Sequence, residues 1–285
     1  MLEQIAVIGA RGKMGTWFTN YFARRGMKVS IFDIKNDLQF ASNVRIATKI
    51  IDCVTDADLV LVCVPVNATP QVVRDCAKSM KAGAVIAEIS SVKHKVFIAL
   101  KNVRSDLHPL CIHPMFGPGA TEKIHANVLL IPIRSEERER KIVNHIFENA
   151  VVKVVPDPKT HDRSIAIILG LTYFANIAFA KVISKNDLAL LKQISGTTFR
   201  LQSLLAESVM TDETALIIAL IKENSSARKY IRNYIKAALD VEKLILAEGN
   251  KGLESDLQKT RSRLQKQQDL QKSYRRLYEI VRSLE

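Results

Sequence analysis

The chain is short of the residues that build metal centres and disulfide frameworks. Its 285 residues include four cysteines: Cys53, Cys63, Cys76 and Cys111. None are in C-x-x-C spacing, which argues against a zinc ribbon or redox dithiol and fits reduced, mostly buried thiols in a cytosolic protein. The histidines (His94, His108, His113, His125, His145 and His161) show no H-x-x-x-H pair, so no metal is expected. Aromatic residues make up only 6%, and the Lys and Arg residues of the C-terminal tail are interspersed with acids and lack stacking partners at regular intervals, so nucleic acid is not expected as a partner. The N-terminus runs directly into "QIAVIGARG", so neither export nor a membrane address is expected and the location is read as cytoplasmic. Long apolar runs are scarce too. One uncharged stretch, Ser164 to Ala180, is slightly short for a span and carries Thr172 and Asn176, so it reads as a helix buried in a core or a subunit interface.

What is present is a hydrophobic fraction of 47%, a charged fraction of 25% and a formal net charge of +13. Such a chain can build real cores and favours anionic small-molecule partners. In the first half, β-branched runs alternate with helical patterns: "IAVIG" (5–9), a helix from about Gly12 to Arg25, "KVSIFD" (28–33), "DLVLVCVP" (58–65), "AVIAEI" (84–89), "LCI" (110–112) and "NVLLIPI" (127–133). Apolar strands separated by helices predict a doubly wound, Rossmann-type α/β domain with a parallel sheet covered on both faces. Prolines punctuate "VVPDPKTHD" (154–162), and convincing strand patterns stop there. The expected organisation is an α/β domain over 1–156 and an all-helical domain over 157–285. The tail after "EGNKG" reads as one long helix with a thin stripe of Leu253, Leu257, Leu264, Leu270, Leu277 and Leu284.

Three strand ends carry the chemistry. "VIGARGKMG" (7–15) follows the first strand and opens the first helix. Gly12 and Gly15 fit the last two glycines of G-x-G-x-x-G, with Ala10 in the first slot and Gly9 just before it; Lys13 and Met14 lie between. This loop lets a pyrophosphate sit at the positive end of a helix. Asp33 ends the second strand, where a carboxylate accepts the ribose hydroxyls and repels a 2′-phosphate, favouring NAD over NADP, with Lys35 tempering that preference. "VCVPVNATPQVV" (62–73) brings Val64, Pro65, Val66 and Asn67 to the same edge, "EISSVKHKV" (88–96) brings Ser90, Ser91 and Lys93, and "CIHPMFGP" delivers His113. In an open α/β sheet these strand ends line the ligand crevice.

"SSVK" (90–93) followed by "HPMFGP" (113–118), behind a glycine-rich loop, resembles the prephenate dehydrogenase family, and the likeness extends to "TTFRLQSLLAESVMTDETALIIALIKEN" (197–224). It implies NAD-dependent oxidative decarboxylation of prephenate to 4-hydroxyphenylpyruvate in tyrosine biosynthesis, or of the related arogenate, by a homodimer paired through the helical domain. On that likeness His113 takes the proton of the ring hydroxyl, Ser91 orients the imidazole and the substrate, and Lys93 adds positive charge beside the anionic substrate. Arg200 corresponds to a substrate-binding arginine. A second family arginine is replaced by Ser208, and a histidine in the first long helix by Leu171 or Thr172. Arg163, Lys222 and Arg228 are the candidate replacements. Two competing readings differ in class: a β-hydroxyacid dehydrogenase, evoked by Gly170, Lys181 and Asn186 at the wrong spacing, and an NAD-binding regulatory protein whose site has decayed.

Overall fold

The computed structural model describes residues 2–35, 39–121 and 126–283, so His125 and Leu284 lie outside the described residues. Two compact units divide the chain, one ending at Ile165 and the other beginning at Ala166.

The N-terminal unit opens with β1 (Gln4–Ile8), α1 (Lys13–Arg24), β2 (Lys28–Phe32), β3 (Val44–Ile46), α2 (Ile50–Val54), β4 (Leu59–Val62), α3 (Thr69–Ser79) and β5 (Val85–Glu88). It continues with α4 (His94–Lys101), β6 (His108–Pro114), β7 (Asn127–Ile131), α5 (Glu136–Ile146), β8 (Val151–Val154) and α6 (Pro158–Ile165). All eight strands form one sheet in the order β3-β2-β1-β4-β5-β6-β7-β8. Every residue of β4 and β5 is buried, as a central parallel strand covered on both faces requires. Each fully buried aliphatic side chain contributes about 1.5–3 kcal/mol.

The sheet is not parallel throughout. β7 runs antiparallel to β6, with His113 opposite Leu129, and β8 then pairs parallel with β7. A parallel return needs a crossover of a dozen or more residues, usually a helix. The described part of the Gly/Pro-rich link after Pro114 holds no helix, and the chain turns back instead. β3 and β8 are strands that the sequence pattern did not reveal. β3 has three residues, and β8 alternates between exposed and half-buried, so neither shows a fully apolar run. The compact N-terminal unit includes α6, whose Asp162 accepts backbone N–H groups of Lys93 and His94 at the start of α4.

The C-terminal unit is helical: a π-helical segment (Ala166–Leu171), α7 (Thr172–Ile183), α8 (Leu188–Ile194), α9 (Thr197–Met210), α10 (Thr214–Ile218), a second π segment (Ala219–Glu223), α11 (Ala227–Leu246), α12 (Lys251–Gln265) and α13 (Leu270–Arg282). Tyr173 donates to Asp212 Oδ2 (2.6 Å) and Gln202 to Asn176 Oδ1 (2.9 Å), tying α7 to the helices after it. The tail is two helices rather than one. Asp269 stops the continuation, because its carboxylate accepts from Lys272 N and caps a new helix. By length and composition Pro158–Ile183 could cross a membrane, with a mean hydropathy of 1.8, and 22% of its most apolar window is buried within the single chain.

Candidate active site

Sheet register sets the site. Ile8, Val62, Glu88 and Cys111 lie side by side across β1, β4, β5 and β6. These four strands are parallel, so the residues just beyond that row emerge at one edge: Gly9 to Gly15, Val64 and Pro65, Ser90 to Lys93, and His113. That edge is the carboxyl edge at which open α/β sheets bind ligands.

Gly9 takes the tight-turn role, with φ of +86°, and a Cβ there would meet Cys63 O at 2.8 Å. Ala10 has an ordinary conformation and is buried. A Cβ on Gly15 would lie 2.0 Å from Gly9 O, so only glycine lets α1 pack this close to its own loop. Gly12 is the residue before α1. No side chain caps that helix and no acid lies in its first turn, so its leading N–H groups suit an anion. Lys13 is exposed and Met14 half-buried beside them. Asp33 accepts Arg11 N on Oδ2 (3.0 Å) and Lys35 N on Oδ1 (3.1 Å). An ionised carboxylate has about four lone-pair sites, so capacity for ribose hydroxyls remains. Val64 is half-buried and Pro65 exposed, and Pro65 O accepts the amides that start α3. These residues fit a dinucleotide: a loop with close backbone approach, an uncapped helix start and an acid on the neighbouring strand end.

His113 lies at the end of β6 with 4% of its surface exposed. Its Nδ1 is 3.0 Å from His161 Nε2, and His161 Nδ1 is 2.8 Å from Asp162 Oδ1. Burial first, then the neighbouring His161 and Lys93, holds His113 well below the ordinary imidazole pKa. Burial also lowers His161, against the opposing pull of Asp162. His113 is therefore neutral around pH 7 and able to accept a proton.

Two sequence-based roles change here. Lys93 is not a cation presented to substrate. It is fully buried, with Nζ 2.6 Å from Glu88 Oε1 and 2.5 Å from the Ile112 carbonyl. Burying a lone ammonium is costly, so the carboxylate at the end of β5 neutralises it. The Nδ1 partner of His113 is His161 rather than Ser91, which is half-buried on the turn after β5. Ser90 is inside, bonded to Thr69 Oγ1 (3.0 Å) and through its N–H to Glu88 Oε2 (2.8 Å). Glu88, His161 and Asp162 escaped the sequence reading. The acid inside "AVIAEI" was the available signal, since a charged residue in a buried strand requires a partner. Arg163 is exposed on α6, next to Asp162, in the same unit as His113; Arg200, Lys222, Arg228 and Ser208 are exposed in the C-terminal unit.

Comparison with known proteins agrees with this architecture. The nucleotide-binding domain of prephenate dehydrogenase matches residues 21–156, and its dimerization domain matches 157–260. A probable arogenate/prephenate dehydrogenase of Methanocaldococcus jannaschii is 28% identical over 64% of this chain and 42% of its own length. The T-protein of Haemophilus influenzae is 24% identical over 79% of this chain and 57% of its own. The chain thus spans about two fifths to three fifths of the length of these curated relatives. The fold is that of the prephenate dehydrogenase from A. aeolicus, whose crystal structure is a complex with hydroxyphenyl propionate and NAD+. That structure superposes with a TM-score of 0.70 at 20% identity, covering 93% of this chain and 98% of that one. With both domain matches side by side over most of its length, the chain belongs to the prephenate dehydrogenase family.

Proposed function

We propose that the protein is an NAD-dependent dehydrogenase that oxidatively decarboxylates prephenate. The observation that carries this reading is a neutral, buried imidazole, His113, on the same sheet edge as a dinucleotide loop. NAD, when bound, supplies the hydride acceptor. The glycine-rich loop and the start of α1 hold its pyrophosphate, and Asp33 holds its ribose. His113 takes the proton of the ring hydroxyl, and burial of the site keeps that imidazole neutral until it does. Ser91, on the neighbouring turn, bonds the same hydroxyl. Arg200 binds a substrate carboxylate, a task suited to the guanidinium fork.

We further propose a homodimer formed through the helical unit. Ile194 is 71% and Leu246 78% exposed in the single chain, and the matching family domain is described as a dimerization domain.

Appearance of NADH with purified protein, NAD and either prephenate or arogenate tests the reaction. Turnover with prephenate supports it. Turnover with arogenate alone moves the substrate to the transaminated analogue, and silence with both despite NAD binding overturns the enzymatic reading. Arg200→Gln is expected to raise KM for substrate more than KM for NAD. An unchanged substrate KM moves the search to Arg163, Lys222 or Arg228.

A further inference from the structure

Behind the His113 ring lies a chain of three groups whose hydrogen-bond roles are fixed from one end. Asp162 Oδ1 lies 2.8 Å from His161 Nδ1, and a carboxylate oxygen only accepts, so His161 carries its proton on Nδ1. In a neutral imidazole this leaves His161 Nε2 as an acceptor. His113 Nδ1, 3.0 Å away, must then be the donor. The opposite tautomer of His113 would set two lone pairs against each other at that distance.

We infer that His161 is a positioning residue that fixes His113 as the Nδ1–H tautomer, so that the substrate proton is taken at His113 Nε2. Asp162 is the anchor. It cannot swing away, because Oδ1 also accepts Lys93 N (2.8 Å) and Oδ2 accepts His94 N (3.1 Å). Both rings are shielded from bulk solvent, His161 fully and His113 nearly so. In the transfer the substrate O–H bond breaks, a bond from His113 Nε2 to hydrogen forms, and the oxygen keeps the electron pair. The imidazolium retains its Nδ1–H on His161, and Asp162 balances the new positive charge through the polarised His161 ring. The other charged groups facing this chain are Lys93, whose charge disfavours protonation of both rings, and its ion-pair partner Glu88.

The inference rests on His113 being the base, but its first test needs no substrate and can fail independently of the prephenate reading. With 15N-labelled histidine, the His113 resonances, assigned by their loss in His113→Asn, are expected to show a protonated Nδ1 and a bare Nε2. A dominant Nε2–H form overturns the inference. The kinetic test compares His161→Leu, which removes the acceptor, with His161→Gln, which keeps a side-chain oxygen. His161→Leu is expected to lower kcat by roughly 10- to 100-fold, a part of the roughly 10²–10⁴ that a positioned base contributes. Both KM values should stay within about twofold of wild type if the ring's tautomer rather than binding is lost. His161→Gln is expected to recover most of the rate. A folded, NAD-binding His161→Leu protein with wild-type kcat overturns the assignment, as does a His161→Gln protein no faster than His161→Leu. If His161→Leu does not fold, the wild-type resonances still decide.

Discussion

The two units solve the problem of burying apolar surface in opposite ways. In the N-terminal unit the central strands are buried along their whole length, and even charges are sealed inside, as the Lys93–Glu88 pair shows. In the C-terminal unit α11 is twenty residues long with only Ala227 buried, and α8, α10 and α12 bury nothing fully. The sheet unit closes its own core, so a buried charge there can be used to shape a site. The helical unit leaves large aliphatic side chains exposed in the single chain, as the proposed association through this unit requires. Chemistry requires the first condition and assembly the second.

Four changes test that division, from the largest expected effect to the smallest. His113→Asn is expected to lower kcat by a factor of roughly 10²–10⁴ while NAD affinity holds; stopped-time assays beside NAD titration check both. Wild-type turnover would remove the imidazole from the chemistry. Lys93→Met strands Glu88 without a counter-ion, and a broken buried pair is expected to cost about 3–5 kcal/mol of stability in a denaturant melt. An unchanged midpoint would mean that water reaches that pair.

The third test is pH. Both His113 and His161 have folded-state values below the ordinary imidazole pKa of 6.5. Below about pH 6.5 the unfolded chain binds protons that the folded one refuses, so stability is full above that value and declines as the pH falls beneath it. The acid limb of kcat/KM should likewise lie below pH 6.5. A limb above 6.5 would contradict a desolvated base. Last, Leu246→Glu alters an exposed site and is expected to change unfolding free energy within about 0.5 kcal/mol, while shifting sedimentation from dimer towards monomer. A loss of stability with no change in sedimentation would mean that this face belongs to the subunit's own core.

The sequence disclosed the parts of the fold that repeat a period. The apolar strands around residues 5, 29, 59 and 85, and the helices between them, follow from alternation and length. The antiparallel return of β7 was hidden because strand direction is set by the connection, and the residues after Pro114 carry no helix. The break at Asp269 was legible in principle, since an aspartate before Leu270-Gln271-Lys272 is a capping signal, but the leucine spacing on either side argued for continuity. In the site, the glycine loop and His113 stood out by residue type. The sequence puts Lys93 on the right turn, but residue type does not tell which way a long side chain goes, and Lys93 turns inward to Glu88. The His161–Asp162 pair stayed silent. Its partners are 48 and 69 residues away along the chain, and only the packing of α6 on α4 brings them together.

The lone tryptophan gives this arrangement an optical handle. Trp17 sits one turn into α1, stacks on Tyr21 and tilts against Phe116, and its indole N–H donates to the Ala120 carbonyl at 2.9 Å. One fluorophore thus bridges the cofactor helix and the segment that follows His113, with no second indole to blur the signal. Any ligand that moves the 116–120 segment relative to α1 will change its emission, so occupancy of this edge can be followed in the unlabelled protein, without turnover.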